Sequence, residues 1–292
     1  MHLDPVLILG SAVVGLLIGM TGMGGGALMT PMLVLLFGVS PSAAISSDLV
    51  AALFMKPAGV AIHFRRRTVQ TPIVRYLCYG SVPAAFVGTF VMHLMGESPT
   101  AEHNLEMFLG AALVIGAVSM IARALLTSHP HSDAPLRVRP ALTVAVGVIG
   151  GFMVGLTSVG AGSLILVLLL VLYPSFRSDR LVGTDLAQSI PLTAAATLGT
   201  LLFGHVTLGL TGSIIIGGVP AVLAGSLVSS RPNTYLMRPV ITGVVLLSGL
   251  KYLGLSTDAL GVTALPVIVA VAVWVLRLRS HRAAPALEPA TA

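Results

Sequence analysis

Gly19-Met-Thr-Gly-Met-Gly-Gly-Gly26 returns 136 residues later as Gly155-Leu-Thr-Ser-Val-Gly-Ala-Gly162. The echo continues on both sides of the midpoint. Ser47-Asp48-Leu49 is matched by Thr184-Asp185-Leu186, and Gly80-Ser-Val-Pro83-Ala84 by Gly217-Gly-Val-Pro220-Ala221, both at an offset of 137. A near-constant offset held over about 70 residues marks an internal duplication. Duplication in an apolar chain is a building plan of secondary transporters, because two copies around one central site can rock against each other.

The chain has 292 residues, of which 55% are hydrophobic and only 9% charged, with a mean hydropathy of +0.99. That is too little charge to cover a soluble surface, and several apolar runs of about 20 residues are long enough to cross a hydrocarbon core of about 30 Å. The net charge of +6 is read as arginine in cytoplasmic loops, not as a nucleic-acid footprint. Cys78 is the single cysteine, which excludes disulfides within the chain and cysteine-based metal sites. The start, Met1-His-Leu-Asp4, has no basic region, so the first apolar stretch is read as retained.

Apolar segments run over 5–37, 44–64, 73–95, 105–126, 139–173, 184–203, 209–228, 235–253 and 260–276. Seven have the length of one span. Segments 5–37 and 139–173 would each be rods of about 50 Å if straight, and each carries a glycine cluster in its middle. Glycine weakens helices and permits unusual backbone angles. Each long segment is therefore expected to enter, break and turn back, with its arms either crossing fully or re-entrant. On that reading 14 of the 16 Lys and Arg residues fall on one side, the cytoplasm. The N-terminus is then outside and the C-terminus inside.

A hairpin plus three spans crosses an odd number of times, so the two copies are expected upside down relative to each other. The expected fold is an all-α polytopic membrane protein of two inverted repeats. Each is a glycine-broken hairpin plus three transmembrane helices, and one extra C-terminal helix follows. Residues 1–126 form the first repeat, 127–138 a cytoplasmic linker, 139–254 the second repeat, 255–282 the added helix and 283–292 a disordered tail.

The glycine clusters are the first candidate site. A helix start inside a membrane offers free amides and the positive end of its dipole, and without side chains an anion approaches closely. Gly22, Gly24, Gly25 and Gly26 in the first copy, and Gly160 and Gly162 in the second, are the expected backbone contacts. Thr21, Thr157, Ser158 and Ser163 add hydroxyls. The competing explanation is close helix packing through small residues, which Gly15 and Gly19 also fit.

Charged groups within spans come next, since they are costly there and pair or face a polar pathway. Asp48 and Asp185 are matched and are candidates for capping helices, for coupling transport to protons, or for both; Gln188 lies one turn from Asp185. Lys56 stands near mid-span, suited to an anionic substrate or a buried carboxylate, with snorkelling the alternative. His63 shares its face and is read as a boundary residue beside Arg65, Arg66 and Arg67. Pro83 and Pro220 each remove a helix hydrogen bond and are hinge or shape-setting candidates. His129 and His131 are read as a solvated loop, and no metal is expected. No Gly-x-x-x-x-Gly-Lys-Ser/Thr motif is present, so neither ATP nor another cofactor is expected.

At these residues the chain resembles the TauE/SafE sulfite exporter family, also called the 4-toluene sulfonate uptake permease family. The resemblance rests on Gly19-x-x-Gly22-x-Gly24-Gly25-Gly26 with its degenerate second copy. It also rests on Ser47-Asp48-Leu49, Lys56, Gly59, His63 and Val69, and on Gly183-Thr184-Asp185-Leu186 leading to Pro191 and Gly204-x-Val206. It spans residues 5–254. Ser158 and Ala161 depart from Gly22 and Gly25 of the first copy, and 260–276 lies outside the pattern. The resemblance implies a bacterial inner-membrane permease for a small sulfur-containing anion such as sulfite, a sulfonate or a sulfoacetate-like compound, in either direction. No enzymatic chemistry is expected. Two rivals are a transporter of a cation or another small solute, with Asp48 and Asp185 as ligands, and a membrane assembly partner that transports nothing.

Overall fold

A computed structural model describes residues 4–21, 25–65, 69–95, 98–126, 138–174, 178–204, 206–228 and 237–283. Among these the chain is all-helical: α1 (Pro5–Thr21), α2 (Gly26–Phe37), α3 (Pro41–Arg65), α4 (Thr71–Met95), α5 (Pro99–Leu126), α6 (Pro140–Thr157), α7 (Leu164–Leu172), α8 (Ser178–Phe203), α9 (Leu208–Val228), α10 (Met237–Tyr252) and α11 (Thr257–Ala283). Helix is what a lipid environment demands, because every backbone polar group must find a partner within its own segment. Proline opens α1, α3, α5 and α6, a position where its missing N–H costs nothing. Asp4 caps α1 by accepting the Val6 amide at 2.8 Å, and Ser98 caps α5 through the Ala101 amide at 3.2 Å. Among the described residues, six helices are long and apolar enough to cross a membrane: those within 71–95, 99–123, 140–157, 180–203, 208–227 and 257–274.

Both long segments break where the glycines lie. α1 ends at Thr21 and α2 begins at Gly26; α6 ends at Thr157 and α7 begins at Leu164. The arms then lie side by side. The Tyr173 hydroxyl, just past α7, accepts the Arg139 amide at 3.0 Å and lies 2.7 Å from the Thr143 hydroxyl, so both ends of segment 139–173 meet. In the first copy Phe37, the last residue of α2, packs on Gly10 of α1. The returning arms are short: 12 residues in α2 and 9 in α7 make rods of about 18 Å and about 14 Å, well under the hydrocarbon thickness. Gly38 ends α2 in the left-handed region, φ +64, its amide and that of Val39 capping Val34 and Leu33.

The helices of the two halves interlock reciprocally. α1 packs on α9 and α4 on α6, while α3 pairs with α8 and α5 with α10. Glycines set the closeness. A methyl group on Gly15 would lie 2.7 Å from the Gly218 carbonyl oxygen, and one on Gly19 would collide with the Val222 carbonyl. Shifted by the repeat offset, the same contacts recur between Gly151 and Ser81 and between Gly155 and Ala85. Equivalent helices of the two halves are thus paired to each other. Gly15 and Gly19 therefore serve close packing. Pro83 and Pro220 stand inside α4 and α9, which run on through them. α11 packs on α10, and none of its apolar window is buried.

Candidate functional site

The second break is an irregular turn over 158–163 built by local chemistry. Ser158 adopts φ +61, Gly160 φ +119 and Gly162 φ +86, angles that favour glycine because they bring no Cβ against the backbone. Thr157 ends α6 by donating to the Met153 carbonyl at 2.7 Å and accepting the Val159 amide at 3.2 Å. Ser163, buried, precedes α7. At the first break Thr21 repeats the helix-ending bond, donating to Leu17 at 2.7 Å. The Gly25 carbonyl then accepts the Leu28 and Met29 amides at 3.1 and 2.9 Å as α2 starts. The hydroxyl protons of Thr21 and Thr157 thus go to their own helices in this conformation. Gly22, Gly24, Arg66, Arg67, His129 and His131 lie outside the described residues, as do most of the linker 127–138, the tail beyond 283 and the side chain of His63.

The two breaks touch. A methyl group on Gly26 would collide with the Ser158 carbonyl oxygen, so glycine at the start of α2 is what lets the breaks meet. Beside this contact stands Asp48, fully buried. Its Oδ2 accepts from the Thr30 hydroxyl of α2 at 3.0 Å and from the Ser158 hydroxyl at 2.8 Å. One carboxylate therefore ties together the two glycine segments. Asp185, also buried, accepts the Gly162 backbone amide. Neither aspartate caps its helix. α3 starts at Pro41 and α8 at Ser178, earlier than apolar runs alone suggest, so both carboxylates project from helix interiors. Charge that the sequence assigns to an arriving anion is supplied here by the protein's own side chains.

Lys56, partly buried on α3, donates to the Thr193 hydroxyl of α8 and lies within electrostatic reach of both Asp48 and Asp185. Arg123 of α5 also acts on Asp185. Gln188 donates to the Ser81 hydroxyl of α4. Among the described residues, the buried side-chain oxygens without a hydrogen bond include Asp48 Oδ1, Asp185 Oδ1 and Gln188 Oε1. Thr30, Ser81 and Thr193 escape sequence reasoning, since a lone hydroxyl in an apolar helix usually bonds its own backbone. For Thr193 a signal existed: it stands 137 residues after Lys56, the offset that pairs Asp48 with Asp185.

Comparison with known proteins agrees with this architecture. The family model "Sulfite exporter TauE/SafE" matches residues 7–252. The "Probable membrane transporter protein YjnA" of Bacillus subtilis (strain 168) is 37% identical over 250 residues, 84% of this chain and 98% of that protein. "Probable membrane transporter protein YdhB" of the same organism is 24% identical over 83% of this chain and 99% of its own length. "Probable membrane transporter protein YunE" is 19% identical over 84% and 95%. No solved structure matches the chain. With the family model covering most of its length and stopping just short of α11, this chain is a multi-pass membrane protein of the TauE/SafE sulfite exporter family.

Proposed function

We propose that the protein is a secondary transporter that moves a small sulfur-containing anion (sulfite, a sulfonate or a sulfoacetate-like compound) across the bacterial inner membrane by alternating access, coupled to protons. The observation that carries this reading is the pairing of break donors with buried carboxylates: Ser158 with Asp48, and the Gly162 amide with Asp185. Those donors suit an anion. A proton taken up by either aspartate weakens its hold on its donor and leaves room for a substrate oxygen, while Lys56 balances the charge. Anion and proton then enter together because an unpaired extra charge in this buried site is costly.

Inverted repeats supply the motion in this reading. Support comes from the reversal at each break; in this reading three helices then cross, which leaves the second half starting from the opposite face. The N-terminus is assigned outside and the C-terminus to the cytoplasm by the arginine distribution. The test uses purified protein in proteoliposomes loaded and assayed with sulfite and with an alkyl sulfonate. Uptake should follow an imposed pH gradient, and Lys56→Ala should reduce it at least a hundredfold while inserting and eluting like the unaltered protein. Full transport by Lys56→Ala, or indifference to the gradient, rejects the corresponding part.

A second reading is favoured by one observation. Asp48 Oδ1, Asp185 Oδ1 and Gln188 Oε1 are buried acceptors without donors, which suits a bound cation. In that case transport depends on sodium and not on the pH gradient, and the same vesicles distinguish the two.

A further inference from the structure

We infer that Thr193 is a positioning residue that holds the Lys56 ammonium on the pseudo-twofold axis, where the anion contacts it. This inference rests on the anion-transport reading above. Lys56 and Thr193 are separated by 137 residues, the offset that relates Asp48 to Asp185 and Pro83 to Pro220. They occupy equivalent places on α3 and α8, and they are hydrogen-bonded to each other. The Cα atoms of a residue and its own copy are equidistant from the axis that relates the copies, and the bonded ammonium lies between them. The ammonium is therefore placed centrally, with one aspartate contributed by each half within its reach.

The surroundings are built to keep the pair there. Thr193 is fully buried, and near it the Thr197 hydroxyl of α8 donates across to the Leu49 carbonyl of α3 at 2.9 Å. Pro57 follows Lys56 directly, and Pro191 precedes Thr193 by two residues. Each proline removes a helix hydrogen bond at the crossing, so the chemistry of side chains, more than helix continuity, sets where the two helices touch. Lysine is a point charge on a flexible four-carbon stem; one accepting hydroxyl from the opposite helix limits where that charge can go. An on-axis charge has a further property. When two halves related by a twofold exchange conformations, a group on the axis keeps its distance to both, whereas an off-axis charge is nearer one gate than the other. The anion's counter-charge then serves both orientations equally.

The position of the charge matters, and the helix that carries it does not. Both claims are testable with sulfite uptake into proteoliposomes. Thr193→Val should raise KM about tenfold and change kcat less than twofold, and Thr193→Ser, which keeps the hydroxyl, should restore the KM. Lys56→Thr should lose transport, and the exchange Lys56→Thr with Thr193→Lys in one chain should regain at least a tenth of it. A Thr193→Val protein with unchanged KM overturns the inference, as does an exchanged protein that is monodisperse and inserted yet as inactive as Lys56→Thr alone. If the exchanged protein does not fold, the Thr193→Val and Thr193→Ser pair decides. Wild-type transport by Lys56→Thr instead removes the lysine from the anion path, and absence of sulfite and sulfonate transport by the unaltered protein removes the parent reading and this inference together.

Discussion

Asp48 and Asp185 occupy the same place in two copies of one design, yet they are held differently. Asp48 takes two hydroxyl donors, Thr30 from its own half and Ser158 from the other. Asp185 takes a backbone amide, Gly162, from its own half. The difference is legible at single positions. The counterpart of Ser158 in the first copy is Gly22, and the counterparts of Thr30 fall in the apolar run of α7, so no equivalent hydroxyls exist to reach Asp185. Duplication supplied the scaffold twice, and substitution within it gave one carboxylate two hydroxyl donors and the other a backbone amide with Lys56 and Arg123 of the first half within electrostatic reach.

The largest expected effect comes from attacking the contact on which the bridge depends. Gly26→Val should prevent the breaks from meeting, since even a methyl collides with the Ser158 backbone; overpacking of this kind costs about 1–3 kcal/mol or more, and transport should be lost together with a lower melting temperature in detergent. Asp48→Ala comes next. It strands two buried hydroxyls that had a charged acceptor, at about 1.5–3 kcal/mol per such bond, whereas Asp185→Ala strands one amide and removes a counter-charge of Lys56 and Arg123, so the two variants should differ in melting temperature. Equal melting temperatures for the two variants would mean that the two carboxylates are held alike.

Ser158→Gly sharpens it. The change removes one donor to Asp48, at about 1.5–3 kcal/mol, but relieves a left-handed residue by about 1–2 kcal/mol. Net stability should fall by about 1 kcal/mol or less, while Asp48→Ala in the same background should cost less than it does alone; a double-mutant cycle reads that coupling. The smallest effect is expected from truncation before α11. That helix packs on α10 with its apolar window unburied, so a chain ending near residue 255 should insert, keep its melting temperature within a few degrees by the size of the lost contact, and transport like the full protein.

Much of the fold could be read in advance because the decisive signals were physical and repeated. Glycine clusters in the middle of over-long apolar runs foretold the breaks at Thr21 and Thr157, and every apolar segment became one helix or one broken pair. Pattern alone left the depth of the returning arms open, since α2 and α7 are as apolar as full spans and only their lengths tell. Partners were harder. Thr30, Ser81 and Thr193 are ordinary hydroxyls in apolar helices, and what distinguishes them is the residue facing them from another helix, which no local window contains. Asp48 and Asp185 stood out as charges, but their role as ligands of the breaks came from tertiary placement. Their supposed capping role failed because proline at 41 and serine at 178 start the helices earlier.

The reciprocal grooves reach beyond transport. Glycines of α1 are filled by α9, and those of α6 by α4, so neither half completes its packing by itself. During synthesis the first five helices leave the ribosome with bare grooves and must wait in the bilayer for the rest of the chain.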